Sequence, residues 1–292
     1  MLVTLVWGST FIVTQTALRE TGPFSLLAAR FVIGAATLLV VFAGRMRALK
    51  KAEVRVGVVI GVVTFASYSL QTLGLQHIAS SKSAFITALY VPVVPLLQLV
   101  LLRQAPRVAA WVGIGLSFAG LLLMSLGEGL DLAIGVGEWL TLGGALMAAA
   151  QIILLSRWVG TVDPLRLAFV QLATVAVLAV GGAMAAGERM PVPTATVVGA
   201  ALGLGLLGTA FALGAMSWAQ RTVSATRATV IYAMEPVWGG LIGAWAGEPM
   251  TPAMVGGSTL VLLGVLASEL RWPRKAGELD DEEVRALSLE AA

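Results

Sequence analysis

Two charged side chains stand well inside long apolar stretches of this 292-residue chain, Arg30 and Glu235. A charge in the middle of a membrane helix costs roughly 2.5–3.5 kcal/mol on insertion scales, so it normally faces a bundle interior or a water-filled cavity. Glu235 immediately precedes Pro236. Proline removes a backbone donor and clashes with the carbonyl four residues earlier, which predicts a bend there. A carboxylate at such a bend can bind a cationic group or take up a proton. It can equally pair with Arg30 or with polar groups freed by the bend. Arg30 has three open roles: anchoring a carboxylate, snorkelling outward, or tying helices together through carbonyl groups.

Polar and aromatic side chains recur at helical spacing around these charges. Trp7, Thr10 and Thr14 share one face, Thr64, Tyr68, Gln71 and Leu75 a second, and Thr229, Tyr232 and Glu235 a third. Ser83, Thr87 and Tyr90 form a fourth, followed by Pro92 and Pro95, which interrupt the backbone. A helix broken at mid-membrane exposes backbone polar groups that a cavity can use. Gln151 and Gln171 are further intramembrane amides. Aromatic rings with a few hydroxyls and amides suit a small amphipathic ligand; ordinary hydrogen bonding between helices is the other reading. Trp218 is either a cavity wall or an interfacial anchor. His77, the single histidine, is either a titrating group at a cavity mouth or a loop contact. Gly199 and Gly203, like Gly239, Gly243 and Gly247, have the spacing that lets helices approach closely.

The elements that must position these groups are membrane helices. Hydrophobic residues make up 58% of the chain and charged ones only 12%, about half the share of a soluble domain. Ten continuous apolar runs fall at about 1–18, 24–43, 56–75, 83–102, 108–126, 138–156, 164–186, 195–217, 225–246 and 252–270. Their lengths fit helical crossings of a bilayer, and they lack the alternation of a transmembrane barrel. Pro23 and Pro164, Ser83-Ala84 and Ser224-Ala225, and Pro95 and Pro236 each lie 141 residues apart. The chain is therefore two repeats of five spans. An odd number of spans inverts the second repeat relative to the first, an arrangement of secondary transporters with the site between the halves.

The expected organisation is a first repeat at 1–126, a linker at 127–137, a second repeat at 138–270 and a polar tail at 271–292. With the N-terminus inside, fifteen Lys and Arg fall on the inner side and three on the outer. This places both termini in the cytoplasm of a bacterial-type inner membrane, against a local opposing signal from Arg19 after the first span. The same loops account for the pI near 9.6, so no nucleic-acid partner is expected. Cysteine is absent, which excludes disulfides and thiolate metal sites. No metal or cofactor is expected.

Several of these residues carry a family resemblance. Trp7-Gly8-Ser9-Thr10-Phe11 resembles the start of the EamA branch of the drug/metabolite transporter superfamily. Ala29-Arg30-Phe31 resembles its second helix, Ser83-Ala84 with Pro92 and Pro95 its fourth, and Glu235-Pro236 its ninth. The resemblance covers residues 1 to about 270. It implies an all-α ten-helix carrier of small metabolites, with spans one, three and four facing six, eight and nine. Some members export amino acids, aromatic ones included.

The expected function is export of an amino acid or related amphipathic metabolite by alternating access. The residues expected to bind substrate are Trp7, Thr10, Tyr68, Gln71, Ser83, Thr87, Tyr90, Gln151, Trp218, Tyr232 and Glu235. Glu235, Arg30 and His77 are candidates for a charge or proton role, and Pro92, Pro95 and Pro236 for bends. The chain contains no G-x-x-x-x-G-K-[ST], H-E-x-x-H or G-x-S-x-G motif, which argues against ATP hydrolysis and weakens an intramembrane hydrolase. An enzyme acting on a lipid-linked substrate and a passive channel are the alternatives. Oligomeric state is open.

Overall fold

The computed structural model describes residues 2–103, 105–106, 108–127, 135–188, 193–245 and 251–269. Most of the expected linker, Gly247 and the whole polar tail lie outside the described residues. Within them the regular structure is entirely helical, as continuous apolar sequence in lipid requires, because each backbone donor must find its acceptor within its own segment.

Seven of the ten spans run unbroken: one (Leu2–Ala17), two (Pro23–Val41), three (Lys51–Gly74), five (Val108–Gly127), six (Val136–Trp158), seven (Pro164–Ala185) and ten (Pro252–Glu269). Proline opens spans two and seven, where its missing donor has no intrahelical partner to lose. Asp163 caps span seven by accepting from the backbone of Leu165 and Arg166. Span three starts five residues before the apolar run predicts, because Glu53 reaches back to the Lys50 N–H at 2.7 Å and closes a first turn beyond the apolar stretch.

The other three spans are interrupted. Span four consists of Ser80–Thr87 and Tyr90–Leu97 with a π-helical end, Gln98–Leu102. Pro92 has no N–H for the Ala88 carbonyl, which instead accepts from Val91 at 2.9 Å. Span nine consists of Ala225–Tyr232 and Glu235–Trp245; Pro236 leaves the Tyr232 carbonyl without its usual donor, and the first half-helix stops at Tyr232. Pro95 makes no break of its own and sits inside the second half-helix of span four. The two breaks therefore lie about a turn apart in the repeat register. Span eight is continuous in direction (Ala195–Ala219) but carries a π-helical insert, Leu204–Phe211.

The packing has a two-fold pattern. Span two lies against seven, five against ten, and four against nine. Span three meets seven as eight meets two, three meets six as eight meets one, and four meets six as nine meets one. Exchanging the repeats maps each contact onto another, so the fold is two inverted five-helix repeats around a central cavity.

Candidate functional site

The central cavity opens where the broken spans meet the π-helical one. Its wall comprises Trp7, Thr10 and Phe11 of span one, Ser67, Tyr68 and Gln71 of span three, and Thr87 and Tyr90 of span four. From the second repeat come Ala148, Gln151 and Ile152 of span six, Leu213 and Met216 of span eight, and Tyr232 and Glu235 of span nine. These are the six spans expected to face one another. The open space is about 60 Å³, well below the roughly 300–1,000 Å³ typical of small-molecule sites. The helices are therefore drawn in around the site.

Glu235 is 8% exposed and is the first residue of the second half-helix of span nine. A helix N-terminus carries partial positive charge from unpaired N–H groups, which favours a carboxylate there. The Tyr90 hydroxyl interacts with that carboxylate, and the Arg30 charge attracts it. Span one crosses directly over this point. A Cβ on Gly8 would fall 2.7 Å from the Glu235 carbonyl and 2.9 Å from the Gly239 nitrogen. Only glycine at position 8 permits that approach, and Gly239 meets the Gly8 carbonyl there. Trp238 fixes the same crossing by donating to the Thr4 hydroxyl at 3.0 Å.

The rings and amides are held by their neighbours. Trp7 meets Tyr232 edge-on, with ring centroids 5.4 Å apart. Its indole N–H donates to the Gly208 carbonyl at 3.2 Å. Gln71 donates to the Thr87 hydroxyl at 3.1 Å, and Thr10 to its own helix at the Trp7 carbonyl. Gln151 is 4% exposed, and its Nε2 has no partner.

Arg30 is buried behind this wall rather than lining it. Its Nε donates to the Thr209 hydroxyl at 2.6 Å and its Nη2 to the Gly208 carbonyl at 3.1 Å. The guanidinium also lies 4.7 Å from the centre of the Tyr68 ring, within cation–π range. The π-helical insert explains this arrangement. Widening a helical turn frees carbonyls from the regular ladder, and Gly208 then accepts from both Arg30 and Trp7.

Nine of the eleven residues expected to bind substrate line the cavity; Ser83 and Trp218 do not. Ser83 is fully buried one turn before Thr87, and its hydroxyl has no partner. Trp218 is 65% exposed because its side chain faces away from the buried Met216, Ser217 and Gln220 of the same turn, which corrects its placement in the cavity wall. His77 is exposed in the turn after span three and sits beside Gly137 at the start of span six. The sequence reading does not single out Phe11, Ser67, Ala148, Ile152, Leu213 or Met216, nor the Gly208-Thr209 pair. These are apolar or small residues of types found throughout the spans. A π-helical insert has no residue signature that would have marked Gly208.

The likeness to known proteins agrees with this geometry. The EamA-like transporter family matches twice, at residues 1–126 and 135–269. An uncharacterized transporter from Archaeoglobus fulgidus is 30% identical over 271 residues, covering 92% of this chain and 84% of the relative. A solved crystal structure superposes with a TM-score of 0.71 at 19% identity, covering 91% of this chain and 96% of its own. On the family match over both repeats and the likeness to a transporter along nearly its whole length, the chain belongs to the EamA-like transporter family.

Proposed function

We propose that this transporter is a secondary carrier of amino acids or related amphipathic metabolites. Aromatic amino acids are the leading substrate and export the leading direction, by alternating access. The observation that supports this reading is the composition of the cavity wall: one carboxylate, Glu235, among Trp7, Tyr68, Tyr90 and Tyr232, with Gln71 and Gln151 alongside. An ammonium group suits the carboxylate, aromatic faces suit a cation or an apolar side chain, and the amides suit a substrate carboxylate. Arg30 stands behind the wall and gives two of its five donors to Thr209 and Gly208, so it supports span eight and leaves substrate contact to the amides. The small cavity suits a cycle in which the repeats separate at one face at a time. The basic-loop asymmetry supports a bacterial-type inner membrane with both termini cytoplasmic.

Counterflow in proteoliposomes preloaded with a mixed pool of amino acids tests the reading. Uptake of a labelled amino acid against its own preloaded pool is the expected result. Tyr90→Ala and Tyr232→Ala each lower that exchange. Unchanged flux and affinity in both variants remove the proposed pocket. Product formation in detergent, without a sealed compartment, supports an enzyme instead.

A further inference from the structure

A second and larger cavity lies outside the central one. It is a groove of about 540 Å³ between spans one and eight, running along Val6–Thr16 on one side and Ala195–Leu207 on the other. At 1.5 Å per residue these walls are roughly 15–18 Å long, the thickness of one leaflet of a hydrocarbon core about 30 Å across. Its mouth is continuous with the lipid-facing surface, where Leu5, Ile12, Val198 and Leu207 are exposed.

The groove is empty of protein. A Cβ on Gly199 or Gly203 would meet nothing within 4 Å. These two glycines have the spacing of a close helix contact, yet among the described residues no helix closes on them. The hydroxyls nearby are already satisfied: Ser9 donates to Val6, Thr10 to Trp7 and Thr16 to Ile12, each to a carbonyl of its own helix. Apart from the Thr196 hydroxyl at the mouth end, the walls therefore present methyl and methylene groups, while Ala200 and Leu204 form a buried floor. Water has too few polar partners to fill such a space.

We infer that this groove seats the acyl chain of a membrane lipid, in the leaflet on the side where span one ends and span eight begins. Thr10 lines both the groove and the central cavity. The seated chain therefore packs against the back of the substrate wall. The inference rests on the membrane fold and does not depend on which metabolite is carried.

Photolabelling in nanodiscs tests it, using phosphatidylcholine with a diazirine on one acyl chain and mass-spectrometric mapping of the labelled peptides. Segments 6–16 and 195–207 are expected to carry more label than the exposed Val40-Val41 surface of span two. Gly199→Leu with Gly203→Leu narrows the groove. It is expected to lower that labelling about tenfold, the occupancy change when two buried methylene contacts are lost, without changing the label at Val40 and Val41. Groove labelling no higher than at Val40-Val41, or unchanged in the double variant, overturns the inference. A double variant that loses label and also falls from two copies per disc to one assigns the groove to a second copy and overturns it as well.

Discussion

Arg30 in span two and Gln171 in span seven occupy the same position in the two repeats, and each reaches across to the other repeat. Arg30 binds Thr209 and Gly208 of span eight. Gln171 donates to the Thr64 hydroxyl of span three at 2.9 Å. The scaffold is shared; the chemistry is not. The charged member demands two acceptors and an aromatic face, and span eight supplies the acceptors through a π-helical insert that its counterpart, the regular span three, lacks. The anion is placed oppositely. Glu235 belongs to the second repeat and is framed by Gly8 and Tyr90 of the first. Each repeat thus holds the other's charge, but only Glu235 faces the cavity. Inverted repeats supply a symmetric frame, and the charges of this chain sit where the two halves depart from it.

The largest effect is expected at the charge that remains available. Glu235→Gln keeps shape and removes charge, so folding is expected to persist. If the carboxylate binds an ammonium group at about 3 kcal/mol, the upper range for hydrogen bonds to charged groups, substrate affinity falls about 100-fold. Affinity by counterflow and the thermal midpoint, measured on the same preparation, check this. A variant that keeps wild-type affinity places the recognition elsewhere on the wall.

Stability separates the matched pair next. Arg30→Leu takes the charged donor from the buried Thr209 hydroxyl and leaves the Gly208 carbonyl with Trp7 alone, and is expected to cost about 3 kcal/mol. Gln171→Leu breaks one neutral bond to Thr64, whose hydroxyl still donates to Ile60, and is expected to cost about 1 kcal/mol. Denaturation in a mild detergent reads both. Equal losses would mean that the π-helical insert does not depend on the guanidinium. Trp7→Phe asks the same of the insert's second donor. It keeps the ring against Tyr232 and loses only the bond to Gly208, for an expected loss of about 1 kcal/mol.

The frame was readable because lipid simplifies the problem. Unbroken apolar runs become helices, an odd repeat inverts, and prolines at 92 and 236 stop hydrogen bonds wherever they fall. Nine of the candidate binding residues converge because polar and aromatic side chains in such runs have few places to go. What stayed hidden depends on packing between distant segments. Nothing in Leu204–Phe211 announces a widened helical turn, and nothing in Gly199 and Gly203 distinguishes a glycine pair that meets a helix from one that borders a groove. Arg30 was open among three roles until it was seen tied to Thr209 and Gly208 behind the cavity wall.

The smallest effects are expected where the repeats agree. His77 and Trp218 lie 141 residues apart, at matching ends of spans three and eight, and both are exposed. Polar or interfacial residues at span ends are common in membrane proteins, and neither residue reaches the cavity wall. Trp218→Ala and His77→Ala are each expected to change stability by no more than about 0.5 kcal/mol, with counterflow rates unaltered. A large fall in exchange for Trp218→Ala alone would mean that this end of span eight turns inward during the cycle. The fall would then appear in the rate of exchange and leave substrate affinity unchanged, because the exposed ring does not line the cavity.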